Sequence, residues 1–141
     1  MSPKVTIQGY IYIYIYISTY QIKSFLSCTS KCVIYLATCL KCNVQYVGST
    51  ATEFKIRFRN HKSDLLNNRG RCELAVHFNS APHHISQIKF IIIEQIYATS
   101  NIDSVLTKRE GYWLAQLHTL FPSGLNKRKE FNSCKRVSFL R

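Results

Sequence analysis

The sequence predicts an α+β domain: a small three-stranded antiparallel sheet flanked by helices. Three observations lead there. The apolar, β-branched run CVIYLATC at 32–39 is followed, after the turn LKCN, by a second strand-like run, VQYVG, which is a hairpin signal. Phe54, Phe58, His61 and Leu65 recur at helical spacing and define one packing face. A third strand-like run, QIKFIIIEQIY at 87–97, then leads into an amphipathic stretch at 103–120. Hairpin strands with helices around them pack as α+β layers.

Taken in order, residues 9–20 read GYIYIYIYISTY. Strict Ile/Tyr alternation is the pattern of a half-buried strand, too short and tyrosine-rich to span a bilayer. An alternating A/T dinucleotide repeat read in triplets gives the same pattern. Residues 1–27 are therefore expected to be a low-complexity extension, and an exposed stretch of this kind is a β-aggregation hazard. The domain is expected over 28–126. Gly48 ends the second strand and permits a close backbone approach; Ser49 or Thr50 can cap a helix over 52–68. On that helix Arg57, Arg59 and Lys62 fall largely off the apolar face. Residues 72–79 form a short helix, and the run 87–97 is expected to be the central strand. The last helix, 103–120, packs through Val105, Tyr112, Trp113 and Leu117, with Asp103 or Ser104 as cap and Pro122 and Gly124 as terminators. From Lys127 the tail is basic and is expected to be loose.

A length of 141 residues allows one domain, and 46% hydrophobic residues exclude a disordered chain. Nineteen Lys and Arg against seven acidic residues give a formal charge of +12, which calls for an anionic partner. Nucleic acid comes first, because neutralised phosphates release counterions; a membrane surface comes second. Lys55, Arg57, Arg59 and Lys62 cluster on the first helix as candidate phosphate contacts. No arrangement of Arg and Asn points to base-specific readout. The N-terminus does not resemble a signal peptide, so a reducing, intracellular setting is expected for the six cysteines.

In that setting Cys39-x-x-Cys42 reads as a metal clip. With His77 and His83 it offers two thiolates and two imidazoles, a donor set suited to tetrahedral zinc. His84 competes with His83 for the fourth position. The gap from Cys42 to His77 far exceeds the roughly 12–15 residues of a simple zinc finger, so this is a staple tying hairpin to short helix. Cys28, Cys32, Cys72 and Cys134 have no such company and read as plain thiols, with Cys32 in the buried strand.

The ordered series Val33-Ile34-Tyr35, Tyr46-Val47-Gly48, Arg57, His61, Glu110 and Asn126 resembles the GIY-YIG nuclease family over residues 32–126. Val33 stands where the family has glycine. CLKC between the half-motifs, AVHFNSAPH, KREGYW and PSGLN resemble the endonuclease domain of Penelope-like retroelements. The resemblance implies a DNA endonuclease acting in the nucleus. No reverse transcriptase accompanies the motif in this chain, so the parent element's is expected as a partner.

The residue types suit phosphodiester hydrolysis. Glu110 is a hard ligand for one Mg²⁺ or Mn²⁺, and Arg57 offers a fork of donors to phosphate. By the resemblance, Tyr35 and Tyr46 position the attacking water, with Gly48 beside them, and Asn126 completes the pocket by hydrogen bonding. The general base stays open among Tyr35, Tyr46, His61 and metal-bound water. Taken singly, each residue has an ordinary reading: strand tyrosines, a solvated helix face, Glu110 paired with Lys108 or Arg109, Asn126 as a turn residue. The order of the whole set favours the functional one. The competing readings are a catalytically inactive, zinc-stapled DNA-binding module and a non-functional transposon remnant.

Overall fold

The computed structural model describes residues 27–127, Arg71 and Thr99 excepted, together with the backbone of three N-terminal strands. These strands, β1 (Lys4–Ile7), β2 (Tyr10–Tyr14) and β3 (Thr19–Gln21), form an antiparallel sheet of their own in the order β1-β2-β3. The Ile/Tyr run thus contributes a five-residue strand paired on both sides. The basic tail beyond Lys127, Cys134 included, lies outside the described residues.

The domain follows as β4 (Val33–Cys39), β5 (Val44–Thr50), α1 (Phe54–Leu66), α2 (Glu73–Asn79), a 3-10 turn (Ile85–Gln87), β6 (Ile88–Gln95) and α3 (Ile102–Gln116). The sheet order is β5-β4-β6, antiparallel throughout. The central strand is therefore β4, and the expectation that the run at 87–97 is central does not hold. β4 is buried along its whole length, whereas β6 is half-exposed at most positions. An unbroken apolar run marks burial on both faces, and β4 has that burial because helices cover both sides.

Alternation along β4 divides the core into two layers. Val33, Tyr35, Ala37 and Cys39 face α1 and α2, packing with Phe54, Leu65, Leu74 and Phe78. Ile34 and Leu36 face α3, packing with Val47, Leu106, Trp113 and Leu114. The hairpin turn closes with Asn43 in the left-handed region (φ 59°) and its N–H donating to Cys39 O at 2.8 Å; asparagine tolerates that conformation better than most residues. Pairing between β4 and β6 shifts register between Ile34 and Tyr35, a bulge of the kind that re-aims side chains near functional sites.

Several element ends differ from expectation. β5 runs past Gly48 to Thr50, so neither Ser49 nor Thr50 caps α1; Glu53 holds that position without a side-chain bond. α3 starts behind Asn101 in the left-handed region (φ 53°) rather than at Asp103 or Ser104. It ends at Gln116, ahead of His118 at φ 53°. Tyr112 is exposed, with the Arg109 guanidinium 4.3 Å above its ring. Cys32 is half-buried at φ 55° just before β4. No helix among the described residues is long and apolar enough to cross a membrane.

Leu36 sits fully buried at the middle of the central strand. Leu36→Ala is expected to lower stability by about 2–5 kcal/mol, read as a fall in the urea midpoint at unchanged slope; a loss under about 1 kcal/mol would contradict its place at the centre of the core.

Candidate active site and metal cluster

The site begins with a cross-strand pair. Tyr35 on β4 lies opposite Gly48 on β5. A Cβ built on Gly48 would meet the Cζ and Oη atoms of Tyr35 at 2.4 Å. The ring therefore lies in the space any other side chain would fill, and glycine is required by that contact. Phe54 and Phe90 hold the ring from the side, with centroids at 5.5 and 6.2 Å.

The phenol oxygen so placed meets α1. Arg57 Nε donates to Tyr35 Oη at 3.0 Å, and His61 Nε2 shares a hydrogen bond with the same oxygen at 2.7 Å. Arg57 and His61 are four residues apart and so share one helix face. Arg57 was expected off the packing face, but it is buried, as are His61 and Asp64, while Phe58 is 39% exposed. The helix turns a polar stripe toward the sheet because the Tyr35 oxygen supplies a partner there, without which a buried guanidinium would be costly. Burial by itself would push the Arg57 guanidinium down, yet the coulombic pull of Tyr35, Tyr46 and Cys72 and the bond to Tyr35 outweigh it and raise it. Arg57 is thus a fixed positive charge inside the cluster. Lys55, Arg59 and Lys62 lie exposed on the same helix.

Tyr46 stands beside them, its ring edge-on to His61 with centroids 6.2 Å apart. Cys72 Sγ donates to Tyr46 Oη at 3.0 Å. The loop after α3 fixes the strand on either side of Tyr46. Leu125 N donates to Gln45 O at 2.9 Å. Asn126 brackets Val47, its Oδ1 accepting from Val47 N at 2.8 Å and its Nδ2 donating to Val47 O at 2.9 Å. Asn126 thus acts as an added rung on the β5 edge and positions the tyrosine strand from behind.

Glu110 is 1% exposed on α3, which packs against β5 and β4. Tyr35, Tyr46, Arg57 and His61 gather where β4 and β5 meet α1. A carboxylate this buried requires a cation or donors around it, which suits a hard divalent ion.

The second cluster lies at the hairpin turn. Leu40 N donates to Gln87 O at 2.8 Å, and Lys41 Nζ donates to Pro82 O. These bonds bring the turn onto the segment after α2. The ligand atoms of Cys39, Cys42, His77 and His83 then lie within 4.8 Å of one another. Cys42 Sγ and His83 Nε2 are 3.4 Å apart, and His83 Nδ1 is held 2.9 Å from Phe78 O. That second bond aims Nε2 at the cluster, the usual support for a metal-bound imidazole. His84 is turned away: its Nδ1 caps the 3-10 turn, accepting from Ser86 N at 3.2 Å. Burial and the neighbouring Cys39 push the Cys42 thiol up, against the pull of Lys41. Burial and His83 push the His77 imidazole down, keeping it in the neutral, ligating form. A bound divalent ion would reverse the effect on the thiols, since coordination deprotonates them.

Sequence reasoning missed one participant, Cys72, and the burial of another, Arg57. Cys72 read as a plain thiol because its spacing to Tyr46 is set only by tertiary packing. The burial of Arg57 was legible in principle, since Arg57, His61 and Asp64 form a polar stripe at helical spacing.

The profile of the GIY-YIG catalytic domain family matches residues 31–126. Two solved structures are similar. The catalytic domain of homing endonuclease I-TevI superposes with a TM-score of 0.54 at 26% identity, covering 67% of this chain and 95% of that one. A glutamate-to-alanine mutant of the catalytic domain of intron endonuclease I-TevI gives 0.53 at 26% identity, covering 66% and 89%. No curated protein matches the chain.

Gly48→Ala is expected to displace the Tyr35 ring and cost about 1–3 kcal/mol, the usual penalty for overpacking. Urea unfolding measures the cost. A near-neutral change would mean that the ring has room to move aside.

Proposed function

The chain belongs to the GIY-YIG catalytic domain family, and from that premise we propose that it is a divalent-metal-dependent endonuclease that nicks DNA with weak sequence preference. The single observation that carries this reading is the buried junction of Tyr35, Arg57 and His61. Burying a cation and an imidazole on one phenol oxygen carries a desolvation cost that a purely structural core would avoid with apolar residues. That favours an enzyme over a zinc-stapled binding module, which has no need of the junction.

Hydrolysis needs a water freed of a proton and relief of charge on the phosphoryl oxygens. The Tyr35–His61 hydrogen bond offers a proton route: Tyr35 takes a hydrogen bond from the water, and His61 receives the proton passed along. Tyr46 orients the water from the second strand. The Arg57 charge stabilises the negative charge that develops on phosphate. Glu110 would hold Mg²⁺ or Mn²⁺, which supplies Lewis-acid polarisation of the phosphoryl oxygen. Lys55, Arg59 and Lys62 steer and seat the duplex without reading its sequence. Cys39, Cys42, His77 and His83 would hold zinc as a structural staple. The motif set around these residues, CLKC, AVHFNSAPH, KREGYW and PSGLN, supports descent from a Penelope-like retroelement. A nuclear protein working beside a reverse transcriptase fits that origin.

Supercoiled plasmid incubated with the full chain is expected to relax through nicks only when Mg²⁺ or Mn²⁺ is present. Glu110→Ala should lower that rate roughly 100-fold or more, as losing one charge-stabilising group does, while salt-dependent DNA binding by anisotropy persists. A folded, DNA-binding wild type that leaves plasmid intact would end the enzyme reading. Separately, Cys42→Ser is expected to lose bound zinc and melt earlier, because structural zinc adds directly to folding free energy. Zinc content by atomic emission and a thermal scan check this, and unchanged values for both would remove the staple.

A further inference from the structure

Cys72 takes no part in the chemistry just described, yet it is buried within the tyrosine cluster. It immediately precedes α2, and its thiol donates to Tyr46 Oη at 3.0 Å. Two other charged or titratable groups face Tyr46 from α1. Arg57 interacts electrostatically with both Tyr46 and Cys72. His61 presents its ring edge at 6.2 Å. Tyr35 on β4 links those two through its phenol oxygen. Asp64, further along α1, is buried beside Gly70 in the loop that leads to α2.

A phenol oxygen that accepts a hydrogen bond near a guanidinium is stabilised in its anionic form, because donors and opposite charges favour the charged state. We infer that Cys72 is a positioning residue of the nuclease, acting through Tyr46: its thiol hydrogen holds the phenol oxygen in place and makes it a stronger acceptor for the attacking water. This rests on the nuclease reading above. No bond to sulfur forms or breaks. Two acids joined by a hydrogen bond titrate as a coupled pair rather than as separate groups. A serine at 72 would keep a donor but not the second acid, and an alanine would keep neither.

The test uses the full chain with tyrosine labelled at ¹³Cζ, the Tyr46 resonance being assigned with Tyr46→Phe. Nicking is followed against pH on the same samples. Cys72→Ala is expected to move the Tyr46 titration and the alkaline limb of nicking upward by about one pH unit, the scale of one lost charge-assisted hydrogen bond. Nicking at neutral pH should fall about tenfold with it. Cys72→Ser should recover most of both. A purely structural role would lower stability in urea without moving either titration. Identical Tyr46 titrations in wild type, Ser and Ala variants would overturn the inference. If the alanine variant fails to fold, Cys72→Val takes its place as the variant without a donor, and an unmoved Tyr46 titration there overturns the inference equally. A shifted Tyr46 titration in a chain that never nicks would uphold the Cys72–Tyr46 coupling and sink the nuclease reading instead.

Discussion

The tyrosine cluster depends on one steric fact: the ring of Tyr35 occupies the place where residue 48 would carry a Cβ. With glycine there, the ring crosses β5 and its oxygen arrives under α1. Arg57 and His61, one helical turn apart, then have a shared partner. Without that oxygen, α1 would be burying a guanidinium against apolar strands, at a cost of several kcal/mol. The helix seat and the tyrosine position thus determine each other. The aromatic neighbours Phe54, Phe58 and Phe90 complete the enclosure, removing water that would screen the Arg57 charge.

The second tyrosine is set by a different device. β5 is an edge strand, and an uncovered edge exposes backbone donors and acceptors. Here the loop after α3 covers it, Leu125 at Gln45 and Asn126 at Val47. Gly124 allows this loop to fold tightly, since a Cβ there would lie 2.4 Å from Thr119 O. Tyr46 lies between the two clamped residues, so its ring direction is fixed by chain 79 residues away. A segment that satisfies an edge also orients a functional side chain.

What the sequence made legible follows from the range of the forces involved. Strand and helix identities came from local periodicity, and the hairpin from its turn residues. The order of strands did not, because an apolar run reports burial and β4 and β6 both carry one; β4 is central because it pairs with β5 along one edge and β6 along the other, a long-range choice no local run encodes. Helix starts were missed where the cap is a left-handed Asn101 or a Glu53 with no side-chain bond. In both cases tertiary packing replaces the local signal. Arg57 was placed off the apolar helix face, although the Tyr35 oxygen that accommodates it there lies 22 residues earlier. Cys72 carried no local signal at all. The Cys39, Cys42, His77 and His83 set was legible because thiols and imidazoles that could hold a metal are chemically distinctive, and the turn and loop bring those four together.

The two clusters are linked through strand register. Tyr35 and Cys39 are on the same strand face, four residues apart on β4, a span of about 13 Å along a strand. Cys39↔Val44 and Tyr35↔Gly48 are rungs of a single ladder. A slip of one residue anywhere along it would send every side chain to the opposite face. Tyr35 would then leave α1 and Gly48 would no longer lie beneath a ring. A metal held by Cys39, Cys42, His77 and His83 would fix the turn and with it the first rung of that ladder. A metal bound there would support the tyrosine cluster by holding the register of the hairpin.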